Sequence, residues 1–332
     1  MKKGLIVLDS HAYELIYGDE MRAEIAGLVD LVSPRPLTKA EVAADPAILR
    51  DVEVIFSGWG APRMDAAFLE AAPKLEAVFY GAGSIRGFTS DAFWERGITV
   101  ASAYAMNAIP VAEFTLATIL LSLKNTWRYA LGAKRLGHYP ERIPCAGGYG
   151  SKVGIISLGM IGRLVRDRLR PFDLKVLAYD PFVKPEQARD LDVELVSLDE
   201  IFRQCDVVSL HTPWLAETVG MITGQHFELM KAGATFINTA RGAVVREDEM
   251  IASLAKRPEI TALLDVTYPK EPPLPESLLW TLPNVVLTPH IAGSQNGECR
   301  RMGRLMLDEF GRWSKGEPMQ WSITRERAAV LA

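Results

Sequence analysis

The hydrophobic positions of this chain fall into short runs separated by stretches of helical spacing, and the pattern occurs twice. Residues 4–9, 29–33, 52–58, 75–81 and 98–103 read as strands, with helices between them such as 38–49 and 64–72. Alternation of this kind predicts a parallel sheet covered by helices. A long helical segment follows over 109–135, apolar around much of its circumference through Phe114, Leu116, Ile119, Leu120, Leu121 and Leu123. That surface needs cover, either between domains or against another subunit. The stretch 137–150 is rich in Gly and Pro and reads as a loop. A second strand series then runs through 153–157, 175–180, 206–211, 234–240, 261–266 and 285–289, at about the spacing of a Rossmann unit. Ser197-Leu198-Asp199-Glu200 forms a capping box ahead of the helix that ends near Cys205. A last helix over 296–315 is long enough to carry the chain back to the first domain. The prediction is therefore α/β with two doubly wound parallel sheets. One domain is discontinuous, 1–106 with 297–332, and the other spans 107–296.

Length and composition agree with this picture and narrow it. At 332 residues two domains are expected in place of one core. The chain is 48% hydrophobic and 23% charged, and 37 basic against 41 acidic residues leave a formal charge of −4 with no long run of either sign. Nucleic acid or an anionic membrane as main partner is disfavoured on that balance. Cys145, Cys205 and Cys299 are far apart and lack metal-ligand spacing, which favours a reduced cytoplasmic protein without a zinc site. The basic start meets Asp9 too early for a signal peptide, and no uninterrupted apolar run approaches ~20 residues, so no membrane span is expected.

Two strands of the second series end on charge. Ala234 to Gly242 stops on Arg241, and Val285 to His290 stops on His290. Ligands of open α/β sheets sit beyond the carboxyl ends of the strands. An arginine and a histidine there can hold an anion and move a proton, although a lone arginine after a strand is usually a solvated end and a lone histidine after Thr-Pro more often a hydrogen-bonded turn residue. Upstream, Val153-Gly154-Ile155-Ile156-Ser157-Leu158-Gly159-Met160-Ile161-Gly162 follows a strand and opens a helix, where a dinucleotide turn belongs. Gly159 lets the backbone approach a pyrophosphate, Gly162 allows helix to pack on strand, and the phosphates face the positive end of the helix dipole. The first glycine of that fingerprint is replaced by Ser157. Asp180 lies 18 residues beyond Gly162, placed either to accept from the adenosine ribose or to close a turn before Pro181. Pro181 and Phe182 bring no cation for a 2′-phosphate, so NAD is expected over NADP.

Taken in order, these stretches resemble the D-isomer-specific 2-hydroxyacid dehydrogenase family. The matching residues are Gly81-Ala82-Gly83, Asn107-Ala108, Val111-Ala112-Glu113, the Gly159 to Gly162 turn and His211-Thr212-Pro213. They continue through Asn238 to Gly242, Leu264-Asp265-Val266, Glu271-Pro272, Leu282-Pro283-Asn284 and Thr288 to Gly293. The resemblance covers almost the whole chain. It implies a flavodoxin-like substrate domain beside a Rossmann NAD domain, joined in a homodimer through the latter. It implies NAD-dependent interconversion of a small D-2-hydroxyacid and its 2-keto acid in a cleft between domains. Arg241 would hold the substrate carboxylate, His290 would exchange the proton, and Glu271 would fix the imidazole. Ala82, Gly83 and Ser84 would bind the substrate carboxylate alongside Arg241 and His290. The cofactor would be lined by Gly159, Met160, Ile161, Asp180, His211, Thr212, Pro213, Thr218, Thr239, Ala240, Asp265, His290 and Gly293. His11, His138 and His226 have no matching context.

The chain also departs from the family. Met160 stands where an arginine is common in the turn. One extra residue separates Asp265 from Glu271, and Lys270 occupies the usual glutamate position, so the alignment through Pro272 assigns the role to Glu271 but leaves the register open. With the chain ending at Ala332, no regulatory C-terminal domain is expected. Formate or phosphonate dehydrogenase on the same scaffold, and an NAD(H)-sensing corepressor-like protein, are the alternative functions. Trp59, Tyr80, Arg86, Tyr104 and Tyr268 are candidates for substrate selection and equally for core or surface.

Overall fold

Strand formation follows the apolar runs closely. The computed structural model describes residues 1–330 and divides into two units, Met1–Asn107 with the chain from Ser294 onward, and Ala108–Gly293. In the first unit, β1 (Lys3–Val7), β2 (Asp30–Leu31), β3 (Val54–Ser57), β4 (Ala77–Tyr80) and β5 (Thr99–Ser102) form a parallel sheet in the order β2-β1-β3-β4-β5. That is the flavodoxin-like order. Alternate residues face opposite layers: Leu5, Val7, Ile55, Val78 and Val100 line one core, while Ile6, Phe56, Ala77, Phe79 and Ala101 line the other. Met302, Met306 and Phe310 of the helix Cys299–Ser314 fill that second layer, with Phe310 5.4 Å from Phe56 between ring centroids.

The second unit carries β6 (Lys152–Ile156), β7 (Lys175–Tyr179), β8 (Glu194–Leu195), β9 (Val207–Leu210), β10 (Thr235–Asn238), β11 (Thr261–Leu264) and β12 (Val285–Leu287). All are parallel, in the order β12-β11-β10-β9-β6-β7-β8. This is the Rossmann order extended by one strand, with its switch point between β6 and β9. The register is level at the carboxyl edge: Ile156 pairs with Leu210, Leu210 with Asn238, Asn238 with Leu264 and Leu264 with Leu287. Whatever follows those residues therefore emerges along one rim.

The capping box at Ser197 is present, its side chain accepting from Glu200 N. The long helix is not continuous. It runs Tyr104–Ser122, breaks, and resumes as Thr126–Leu136. The break falls at Asn125, which adopts φ 51, a left-handed conformation that asparagine tolerates better than most residues. The first helix begins at Tyr104, ahead of the expected start at 109, so Pro110 falls in its interior at the cost of one backbone hydrogen bond. By length and composition Tyr104–Ser122 could cross a membrane, but half of its most apolar window is buried, and Ala112 and Ile119 belong to the core of the second unit. The 38–49 stretch divides into Lys39–Ala44 and a 3-10 turn Pro46–Leu49, because Pro46 cannot continue the helix. The two-residue strand β8 and the helix Arg325–Val330 carry patterns too short to signal themselves.

Candidate active site

The chain leaves β6 through Ser157, Leu158 and Gly159 into the helix Met160–Leu169. A side chain at Gly162 would fall on the Ser157 carbonyl oxygen, so this helix can lie against the turn only with glycine there. Gly159 faces open space; beyond its chain neighbours the nearest atom to its would-be Cβ is Ser157 Oγ at 4.0 Å. Met160 and Ile161 open the helix half-buried, with backbone N–H groups that lack intrahelical partners. Leu158 N donates to Asp180 Oδ2 at 2.7 Å, and Phe182 N donates to Oδ1 at 2.9 Å. Asp180 thus ties the turn to the end of β7 while each oxygen keeps a lone pair for a hydroxyl.

Across the switch point, β9 delivers His211, Thr212 and Pro213. His211 is buried, with Nε2 3.0 Å from Ser209 Oγ, and burial pulls its pKa down to about 3. It is a neutral imidazole at any physiological pH and unsuited to acid catalysis. His211 Nδ1 and Thr212 Oγ1 are buried and have no hydrogen-bond partner among the described residues. Thr218 Oγ1 donates to Pro213 O at 2.6 Å and accepts from Leu215 N, so its hydroxyl closes this turn. Thr239 lies buried beside Thr115, hydroxyl to hydroxyl at 3.1 Å, and Ala240 is buried next to it.

Three residues past the rim on β10, Arg241 sits in a turn stapled by Asn238, whose side chain accepts from Ala240 N and donates to Arg241 O. Arg241 Nη1 donates to Ala240 O at 2.7 Å. A Cβ on Gly242 would collide with the backbone of Thr267 and Tyr268, so the β10 turn and the loop after β11 lie directly against each other. That loop carries Glu271, and three residues past the rim on β12 stands His290. Glu271 Oε1 lies 2.6 Å from His290 Nδ1. Lys270 contributes only its carbonyl, which accepts from Thr267 Oγ1 at 2.7 Å. The imidazole is about half-exposed. His290 has φ 53 and is held in it by Asp265, buried at the end of β11. The Asp265 carboxylate accepts from Thr288 Oγ1 at 2.6 Å, Ile291 N at 2.8 Å and Ala292 N at 2.9 Å. Gly293 closes the same loop, half-buried.

In the first unit, Gly81-Ala82-Gly83-Ser84 follows β4. Ser102 Oγ lies 2.9 Å from Ala82 O and 2.6 Å from Gly83 O, so its single proton holds two carbonyls of this loop. Ala82 is buried; Gly83 and Ser84 are half-buried.

Residues 116–292 match the NAD binding domain of the D-isomer specific 2-hydroxyacid dehydrogenases. The chain belongs to the D-isomer specific 2-hydroxyacid dehydrogenase family. It is 33% identical over 261 residues to D-3-phosphoglycerate dehydrogenase of Archaeoglobus fulgidus, a match covering 79% of this chain and 49% of that protein. With the human D-3-phosphoglycerate dehydrogenase it shares 30% identity over 295 residues, 88% of this chain and 54% of that one. The chain thus spans about half the length of the curated relatives it matches. Among solved structures, D-lactate dehydrogenase from Aquifex aeolicus, complexed with NAD and lactic acid, matches with a TM-score of 0.73 at 25% identity, covering 95% of this chain and 96% of that one. The apo form of Rhodotorula graminis D-mandelate dehydrogenase matches with a TM-score of 0.81 at 23% identity over 98% of both chains.

NAD is therefore the cofactor of this family member, and the residues of the second unit fit it. Gly159 leaves a face open to the backbone, Asp180 has capacity for ribose hydroxyls, and two buried polar atoms on the His211-Thr212 turn lack partners among the described residues. Several supporting residues escaped the sequence reading. Asn238 reads only as part of its motif, without its role in holding Ala240 and Arg241, while Ser102 and Ser209, outside every motif, hold the Ala82-Gly83 carbonyls and the His211 ring. Glu247, whose Oε2 accepts from Tyr268 N at 2.9 Å, gave no signal either; burial raises its pKa above the ordinary carboxylate value. His226 caps its helix, Nδ1 accepting from Thr223 N at 3.0 Å, while His11 and His138 are exposed.

Proposed function

We propose that the protein is an NAD(H)-dependent dehydrogenase that interconverts a small D-2-hydroxyacid and its 2-keto acid. The observation that carries this reading is the 2.6 Å contact between Glu271 Oε1 and His290 Nδ1, on the rim that also presents Arg241. Bound NAD(H) supplies the hydride chemistry. With Nδ1 engaged by the carboxylate, the exchangeable proton of His290 is the one on Nε2. His290 gives that proton to the carbonyl oxygen as a keto acid is reduced and takes it back from the hydroxyl in the reverse direction. Glu271 stabilises the imidazolium whenever it forms. Arg241 offers its planar fork to the substrate carboxylate and polarises the adjacent carbonyl.

The match of residues 116–292 to the family's NAD binding domain supports the cofactor contacts. Amides of Gly159, Met160 and Ile161 hold the pyrophosphate, and Asp180 accepts from the ribose, its charge disfavouring a 2′-phosphate. His211, Thr212, Pro213, Thr218, Thr239, Ala240, Asp265 and Gly293 complete the lining. The first unit acts as substrate domain, with Ala82, Gly83 and Ser84 as its carboxylate-binding loop. Leu121, Leu131 and Leu136, exposed on the two helices 104–122 and 126–136, support a homodimer through the NAD domain. Three cysteines free of disulfides support a reduced, cytoplasmic setting.

Absorbance of reduced nicotinamide followed against a panel of 2-keto acids tests the activity. Turnover of at least one is expected. NADH binding without turnover of any would overturn the enzyme reading, and oxidation of formate or phosphite in their place would overturn the substrate class.

A further inference from the structure

Six residues build the cofactor turn, Ser157-Leu158-Gly159-Met160-Ile161-Gly162, and only the first has a side chain able to donate a hydrogen bond. Ser157 adopts φ 77, a conformation open to glycine and costly for any residue with a Cβ. Its backbone gives no reason for a hydroxyl: Ser157 N donates to Tyr179 O at 2.8 Å, and the Ser157 carbonyl lies where Gly162 must leave room. The hydroxyl makes no hydrogen bond with any of the described residues, and the residue is partly exposed. It has one defined neighbourhood. Ser157 Oγ borders the open face of Gly159, 4.0 Å from the position a side chain there would take. Gly159 is the N-cap of the helix Met160–Leu169, with no side-chain cap on its first amides, and such a helix start attracts anions. Independently of this geometry, the family match places NAD on residues 116–292.

We propose that Ser157 donates its hydroxyl to a phosphate oxygen of the dinucleotide. The proposal rests on the NAD-binding reading and deepens it. A hydroxyl at this position supplies a neutral donor where Met160 supplies none, and the hydrogen bond to a charged oxygen offsets the strained backbone only when the cofactor is bound. Replacing the serine with glycine then has two opposite effects. The free protein gains, because glycine adopts the left-handed conformation without penalty. The complex loses, because a charge-assisted hydrogen bond is gone.

The test compares the wild-type protein with Ser157→Gly and Ser157→Ala. Dissociation constants are measured for NADH, ADP-ribose and adenosine by calorimetry or by competition with NADH, with melting temperatures recorded alongside. Both variants are expected to bind NADH and ADP-ribose roughly tenfold more weakly and adenosine unchanged. Ser157→Gly should melt higher than wild type, and it carries the test should the alanine variant fail to fold. Unchanged or tighter NADH binding by Ser157→Gly overturns the proposal and leaves the NAD reading intact. An equal loss for adenosine also overturns it, because the serine would then only shape the turn. Failure of the wild-type protein to bind NADH would instead remove the cofactor reading, and this proposal with it.

Discussion

Asp265→Asn is a one-atom change that the loop around His290 cannot accommodate. The native carboxylate takes three donors: Thr288 Oγ1 and Ile291 N on Oδ1, and Ala292 N on Oδ2. An asparagine amide has only one acceptor oxygen, so in either orientation its NH2 group opposes a backbone N–H. Losing a hydrogen bond to a charged group and leaving a buried donor unmet costs about 2–3 kcal/mol. Asp265→Ala removes both acceptor oxygens and with them all three hydrogen bonds, and should cost on the order of 3–5 kcal/mol. Net stabilities of domains are about 5–15 kcal/mol, so both losses are readable in a urea melt. The effect on turnover should exceed what stability alone predicts. His290 N also donates to Asp265 O at 3.1 Å, and the histidine holds a positive φ that survives only while the loop is anchored. A displacement near 1 Å at the acid would lower kcat roughly 100-fold in protein that is still folded. An Asn variant with the wild-type urea midpoint and kcat would refute the reasoning, since it would mean the carboxylate neither anchors the loop nor positions the histidine.

Further expectations concern single groups. Arg241→Lys should keep NADH affinity but lower kcat/KM by about 100-fold, because an ammonium cannot match a carboxylate with two parallel donors; unchanged kcat/KM would remove the arginine from substrate binding. Lys270→Ala should leave kcat within about twofold, whereas Glu271→Gln should reduce it by roughly 10–100-fold, since only Glu271 meets the imidazole; the reverse ranking would reverse the register. The His211 pKa is depressed to about 3 against an ordinary 6.5, so the unfolded chain binds the extra proton first on acidification. Stability should therefore fall as pH drops through the window from 6.5 toward 3, by up to about 1.4 kcal/mol per pH unit from this residue. Urea melts of His211→Asn across that window should show a shallower pH slope than wild type, and identical slopes would count against a buried neutral histidine.

The strand runs, the dinucleotide turn and the two strand-terminal charges could be read from residue order alone, because each is a local matter. A parallel strand buried on both faces must be apolar throughout, a helix packed on a turn needs Gly162, and a charge just past a strand leaves the rim wherever that rim lies. Local pattern could not see the break at Asn125, which depends on a left-handed residue inside an otherwise helical stretch. It could not rank Lys270 against Glu271 either, since one extra residue shifts the motif and only the fold of the Thr267–Glu271 loop, pressed against Gly242, brings a particular side chain to the ring. Nor could it assign Asp265, whose partners lie 23 to 27 residues away and meet it only because β11 and β12 are paired in register. The sequence by itself determined which chemical groups the rim would carry. Only the tertiary structure decided which of them touch, because hydrogen bonds depend on distances of tenths of an ångström that sheet register and loop packing set.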